Sequence, residues 1–319
     1  MNSKLAIVMY HYVRPIADSR YPQIKGLELE YFKRQLEFLG QNFRFIDCEA
    51  LRAAVAGKKE LPEQAVLLTF DDGYIDHYNY VFPLLRRLGI RGFFSMPGKI
   101  LSERKLLDVN KIHFILATAD LNSTMEYLKG RLEYFRGREF DFPDFETLYA
   151  QYAVASRFDP AEVIFVKRIL QTVLPERLRN IIADELFKKC IPVSESAFVE
   201  ELYMTDEQIH EMVRDGMEFG IHGYDHVWLG NLSPEAMRKD LDRAVTFFKD
   251  ILPQNGWGMC FPYGSYNDDT LAYAKALGAR FGFSTEVRVA NIAQDSPLTM
   301  PRLDTNDFPP KSDRYKTIG

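Results

Sequence analysis

Two adjacent carboxylates, Asp71 and Asp72, followed by Gly73, close an apolar run from Ala65 to Phe70. The run reads as a buried strand, which places both acids at its C-terminal end. Successive side chains along an extended backbone point to opposite sides. One acid can therefore bind a metal while the other stays free as a base. A second stretch, Ile221 to Trp228, carries His222 and His226 four residues apart. On a helix this spacing can ligate one ion, but Gly223 and the strand before it predict a loop, in which both imidazoles can still converge. With Asp72 they would form a site of two neutral nitrogens and one anionic oxygen, with positions open to water. That is the pattern of a catalytic rather than a closed structural metal site. Alone, the pair is equally well an ordinary pair of loop histidines. Beside Asp71-Asp72-Gly73, with each motif ending a predicted strand, the metal reading is the stronger one.

The elements that must carry these residues alternate. Leu5 to Val13 reads as a first strand delivering His11, and Leu27 to Leu39 has helical spacing. After the acidic strand come a helix over Tyr78 to Leu88, closed by Gly89, and a strand over Arg91 to Pro97. Helix alternating with strand indicates a parallel sheet wrapped by helices. From about Leu101 to Val199 the alternation gives way to helical segments at Val109–Thr118, Thr124–Phe135 and Glu162–Val173. This stretch, 101–199, is expected to be a helical insertion, either a substrate lid or a packing or oligomerisation module, in a main domain made of 1–100 and 200–319. The main fold resumes with a capping box, Thr205 to Gln208, opening a helix to Arg214. It continues with a strand over Met217 to Ile221 and a helix capped by Ser233-Pro234. A strand over Trp257 to Phe261, a helix capped by Asn267 or Asp268, and strands over Ala279 to Ser284 and Leu298 to Leu303 complete it.

Of 319 residues 46% are hydrophobic and 27% charged, with 40 Lys and Arg against 45 Asp and Glu, a formal charge of −5. The size suits one large α/β domain with an insertion. The mild acidity argues against nucleic acid or an anionic membrane as the main partner. Cys48, Cys190 and Cys260 are odd in number and lack metal-type spacing, which fits a reducing compartment. The N-terminal apolar run, Leu5 to Tyr10, is too short for a signal-peptide core or a membrane span. A cytoplasmic protein is expected.

Three motifs stand in the order found in the polysaccharide deacetylases, the fourth family of carbohydrate esterases: Thr69-Phe70-Asp71-Asp72-Gly73, His222-Gly-Tyr-Asp-His226 and Phe261-Pro262-Tyr263-Gly264. The chain resembles that family over residues 5–100 and 200–305. The resemblance implies a distorted (β/α) barrel with its site at the C-terminal ends of the strands. It also implies Asp72, His222 and His226 as ligands of one divalent ion, usually Zn2+, with Co2+, Ni2+, Mn2+ or Fe2+ as alternatives. Asp71 matches the catalytic base, and Tyr263 the residue whose backbone N–H stabilises the oxyanion. The implied reaction is hydrolysis of an N-acyl group, acetyl first, from an amino sugar. Without an export signal the expected substrate is a nucleotide- or lipid-linked glycan, a precursor of a bacterial surface polysaccharide such as O-antigen or capsule. Formyl groups, O-acetyl esters and cyclic imides are alternatives within the family, and a non-catalytic glycan-binding protein or a non-heme iron oxygenase lies outside it.

Two departures matter. Many relatives take their general acid from a histidine near the C-terminus, yet no histidine follows His226. His11 is the best replacement, with a core histidine as the bland alternative; His77, His113 and His210 fall on predicted helices. Many relatives also hold the base with an arginine three residues before the position of Tyr263, where Cys260 stands. Arg302 and Asp304 are candidates to replace that tether, or else a surface ion pair. Tyr74 and Trp228, beside the metal motifs, are candidates for stacking on a sugar, or else core.

Overall fold

The computed structural model describes residues 3–318. The chain divides into two compact units. One comprises the residues up to Pro15, Gly26–Lys105 and the chain from Val199 onward; the other comprises Ile16–Lys25 and Leu106–Phe198. The short segment 16–25 groups with the helical unit, which nothing in its composition announces.

In the larger unit six strands lie side by side and parallel, in the order Lys4–Tyr10, Ala65–Phe70, Phe93–Met96, Glu218–Ile221, Trp257–Cys260 and Ala279–Phe283. The expected final strand over Leu298 to Leu303 shrinks to Leu303–Asp304, because Pro301 removes a backbone donor from it. What remains joins the two ends of the row: Met300 bridges Phe283, and Leu303 and Asp304 pair with Val8 and Met9 of the first strand. The sheet is thereby curled into a distorted (β/α) barrel.

Strand alternation sorts the core. Val66, Leu68, Phe70, Phe94 and Met96 pack with the surrounding helices, whereas Leu5, Ile7, Leu67, Phe93, Cys260, Phe281 and Phe283 form a separate buried cluster on the opposite face. The period of two places Thr69 and Asp71 on the face of Leu67, and Ser95 on the face of Phe93. That face is apolar where the strands begin and polar where they end.

Local signals account for the helices that support the strands. Leu29–Asn42 buries Phe32, Gln35, Leu36 and Leu39, one stripe at helical spacing. The capping box at Thr205 and Gln208 opens Asp206–Arg214, Ser233 caps Pro234–Phe248, and Asn267 caps Asp268–Leu277. Residues 77–88 begin as a π-helical stretch, His77–Val81, before the α-helix Phe82–Leu88. Gly89 ends that helix in the left-handed region, φ 67°. The smaller unit is helical, with Asp108–Thr118, Leu121–Phe135, Phe145–Tyr152, Ala161–Arg168 and Glu176–Cys190. Its one deeply buried lysine, Lys111, is paired with Asp184 at 2.6 Å and Glu195 at 3.1 Å.

Candidate active site

Asp71 and Asp72 follow the Ala65–Phe70 strand and are almost completely buried. Their side chains have separate partners, but the pleat is not what divides them. The Asp71 N–H still donates to the Tyr10 carbonyl at 3.0 Å, continuing the ladder, whereas Asp72 turns into the left-handed region at φ 74°. Gly73 follows at φ 69°. Its missing Cβ matters, since one built there would lie 2.8 Å from Ile100 Cδ1.

Asp72 faces two imidazoles. Its Oδ1 is 3.4 Å from His222 Nε2 and 3.2 Å from His226 Nε2, and the three form a buried group able to hold an ion. The His222 Nδ1 lies 2.7 Å from the Cys260 carbonyl, which can only accept. That ring proton therefore sits on Nδ1, and Nε2 turns a lone pair toward Asp72. Asp72 Oδ1 is itself buried without a hydrogen bond. The lone pair of His222 facing an orphaned, buried anionic oxygen is unfavourable unless a cation lies between them. The residues present thus fit a divalent ion held by two nitrogens and one oxygen. The other carboxylate oxygen, Oδ2, accepts the Tyr74 hydroxyl at 2.6 Å. Burial pushes the Asp72 carboxyl up, but the two imidazoles outweigh it and hold it well below the usual range. Burial lowers both histidines as well; Asp72 and Asp71 lift His222 above its ordinary value, while His226 stays below.

Asp71 has a different set of neighbours. Ser95 Oγ donates to its Oδ1 at 2.7 Å and Arg302 Nη2 lies 2.8 Å from its Oδ2. Burial again opposes charge, but Arg302 wins and keeps Asp71 ionised far below the ordinary carboxylate range. Arg302 is 1% exposed, and its remaining N–H groups reach the Ser284 carbonyl, Thr69 Oγ1 and Cys260 Sγ. It enters from the short segment that joins the ends of the sheet.

The loop with the histidines is shaped from outside. Asp240, buried on the helix Pro234–Phe248, accepts the backbone N–H groups of Tyr224 at 2.7 Å and Asp225 at 2.9 Å. Gly223 and His226 are left-handed, φ 68° and 55°. Tyr263, in the third motif, is left-handed too at φ 58°. Its ring stacks on Trp228 with centroids 4.8 Å apart and packs edge-on against His226 at the same separation. Five non-glycine residues among those described have positive φ, and Asp72, His226 and Tyr263 are three of them. Such conformations cost about 1–3 kcal/mol each and cluster where function over-determines the backbone.

His11 follows the first strand and is half-buried. Tyr10 pairs with Phe70, and its carbonyl accepts the Asp71 N–H, so the structure brings His11 to the same strand ends. His77 is buried in packing, its Nε2 2.9 Å from the His11 carbonyl. His210 is half-buried, its Nε2 3.4 Å from Asp206 Oδ2. Tyr74, expected to stack on a sugar, is buried, and a group without exposed surface cannot touch one. Of the two tether candidates, Arg302 reaches Asp71 and Asp304 does not serve. Asp304 accepts the Asn306 N–H at 2.8 Å and caps the turn Thr305–Asp307. Trp228 remains half-buried beside Tyr263.

Sequence reasoning passed over Ser95 and Asp240, though each leaves a trace. Ser95 interrupts the apolar run Phe93-Phe94-Ser95-Met96. Asp240 falls on the buried stripe of its helix with Met237, Leu241 and Ala244, where a solvated acid has no place.

Residues 188–282 match the family model described as polysaccharide deacetylase. The Bacillus subtilis (strain 168) protein YxkH, provisionally named a polysaccharide deacetylase, is 19% identical over 91% of this chain and 67% of its own length. The poly-beta-1,6-N-acetyl-D-glucosamine N-deacetylase of Escherichia coli (strain K12) is 36% identical over 27% of this chain, and the match spans 12% of that protein. Among solved structures, the Streptococcus pyogenes deacetylase PplD in complex with acetate has a TM-score of 0.58 at 18% identity, covering 99% of this chain and 98% of that one.

Proposed function

We propose that the chain, which is similar to polysaccharide deacetylases, is a metal-dependent amidase that removes N-acetyl groups from amino sugars in a glycan. The observation that carries this reading is the disjoint partnering of two consecutive acids. Asp72 directs an orphaned oxygen at two imidazoles, while Asp71 is kept ionised by Arg302 and Ser95. An amide is a poor electrophile and water a poor nucleophile. A divalent ion held by Asp72, His222 and His226 would polarise the carbonyl and lower the pKa of water.

The chain's own residues supply the rest. Asp71, fixed at both oxygens, takes the proton of the attacking water. Tyr263 offers its backbone N–H to the oxyanion of the tetrahedral intermediate. His11 gives a proton to the departing amine, which is too basic to leave unprotonated. The half-buried Trp228, stacked on Tyr263, flanks the sugar.

The glycan is an N-acetylated polysaccharide or its nucleotide- or lipid-linked precursor, of the kind from which O-antigen or capsule is built. No helix among the described residues is long and apolar enough to cross a membrane.

The test measures free amine released from poly-β-1,6-N-acetylglucosamine oligomers, UDP-N-acetylglucosamine and their N-formyl and O-acetyl counterparts, with and without chelator. Asp71→Asn is expected to lower amine release about 10²–10⁴-fold while bound metal stays at one equivalent. Full activity in Asp71→Asn removes the base from the mechanism. Preferred release of formate, or of acetate from esters alone, moves the reading to a deformylase or an esterase on the same scaffold.

A further inference from the structure

The Tyr74 hydroxyl donates to Asp72 Oδ2 at 2.6 Å, and Tyr74 is 0% exposed. Its ring lies parallel to its neighbours in a ladder of three tyrosines. Tyr12 stacks on it with centroids 4.1 Å apart and an interplanar angle of 23°, and Tyr203 lies near-parallel to it at 6.3 Å and 10°. The backbone is fixed as well: Tyr74 forms an antiparallel bridge with Tyr203, and the Met204 N–H donates to the Gly73 carbonyl at 3.0 Å. Packed against two tyrosine rings and bridged along its main chain, the buried phenol aims its hydroxyl at the metal-site carboxylate.

We propose that Tyr74 is a positioning residue that reserves Oδ2 of Asp72, so that this aspartate offers a single oxygen, Oδ1, to the divalent ion. The inference rests on the reading of Asp72, His222 and His226 as metal ligands. A carboxylate free at both oxygens can rotate and grip an ion with either or both, a mode that suits larger, oxygen-seeking cations. A carboxylate with one oxygen already hydrogen-bonded presents the other at a fixed angle. Together with two imidazoles it then favours the compact, nitrogen-rich coordination preferred by zinc-like ions. Groups that orient a ligand in this way typically change metal affinity about 10–100-fold when removed.

The experiment titrates the apo full chain with Zn2+ against a chromophoric chelator, and with Co2+ while recording the visible ligand-field spectrum. Wild type, Tyr74→Phe, Tyr203→Phe and His226→Ala are compared, with far-UV circular dichroism confirming that each is folded. Wild type should bind one ion, and His226→Ala should lose it; if either fails, the metal-site reading itself is wrong. Given that site, Tyr74→Phe keeps the ring ladder and loses only the hydroxyl. It should weaken Zn2+ binding about 10–100-fold and change the band positions and intensity of the Co2+ form. Tyr203→Phe, which removes a hydroxyl elsewhere in the same ladder, should leave both readouts unchanged. An unaltered affinity and spectrum in Tyr74→Phe would overturn the proposal while leaving the metal site standing. So would equal effects in Tyr74→Phe and Tyr203→Phe, which would assign the change to ring packing.

Discussion

Arg302 Nη2 stands 2.8 Å from Asp71 Oδ2, with each side chain 1% exposed. The guanidinium also spans the Ser284 carbonyl, Thr69 Oγ1 and Cys260 Sγ. A buried pair of this kind is costly to break from one side, because the remaining charge loses both water and partner. Arg302→Met should therefore cost about 3–5 kcal/mol in urea unfolding. It should also remove the largest of the interactions that hold Asp71 ionised against burial, so its carboxyl pKa rises. The base must be ionised to work, so the acid limb of kcat/KM moves to higher pH. Arg302→Lys keeps the charge but not the fork and should fall between the two. A wild-type pH profile in Arg302→Met would detach Arg302 from the base.

His11 is the imidazole left at the strand ends once His222 and His226 face Asp72. An acid that protonates a departing amine matters most when the leaving group is strongly basic. His11→Gln should slow hydrolysis of an N-acetyl sugar about 10²–10⁴-fold, while 4-nitrophenyl acetate, whose phenolate leaves unaided, should be much less affected. Equal losses on amide and activated ester would assign His11 a role in binding or packing instead.

What could be read from the residues and what could not divide along physical lines. The Ala65–Phe70 strand has the bounds that its apolar run predicts, because a strand buried on both faces has few polar residues to blur its ends. The helix Asp206–Arg214 follows directly from its capping box. Arg302 is different: it reaches Asp71 only because the Met300–Asp304 segment joins the two ends of the sheet, and strand order is not encoded locally. The left-handed turns at Asp72, His226 and Tyr263 also leave no local mark, since only glycine advertises positive φ. The division between Asp71 and Asp72 was expected from strand alternation, yet the turn at Asp72 produces it.

Asp240 holds the loop between the two histidines by accepting the N–H groups of Tyr224 and Asp225. Asp240→Asn preserves shape but replaces one acceptor by a donor facing a backbone N–H. The expected cost is about 1–3 kcal/mol, with a matching fall in metal affinity as His226 loses its fixed approach. Arg243→Ala supplies the contrast. Arg243 reaches Asp225 at 3.3 Å but is 40% exposed, so its removal should cost less than about 1 kcal/mol. Thermal melts of the apo forms and chelator competition measure both quantities. If Asp240→Asn matches wild type in both, the loop is held by something else.

His77 provides a pH signature independent of catalysis. It is completely buried, and burial lowers its pKa to about 4, against the partial help of its bond to the His11 carbonyl. In the unfolded chain it titrates near 6.5. Between those values the unfolded state binds the extra proton, so protonation favours unfolding. The stabilisation is complete above about pH 6.5 and declines as pH falls toward 4, by about 3 kcal/mol in all. His77→Phe removes the titration and leaves a ring of similar size, at the cost of the bond to the His11 carbonyl. Urea unfolding at pH 7 and pH 5 should show wild type losing more stability than His77→Phe over that interval, whichever is the more stable at pH 7. Equal losses would mean that His77 keeps its ordinary pKa in the folded protein, through water reaching a ring that the packing of Phe70, Tyr74 and Phe94 around it is built to exclude.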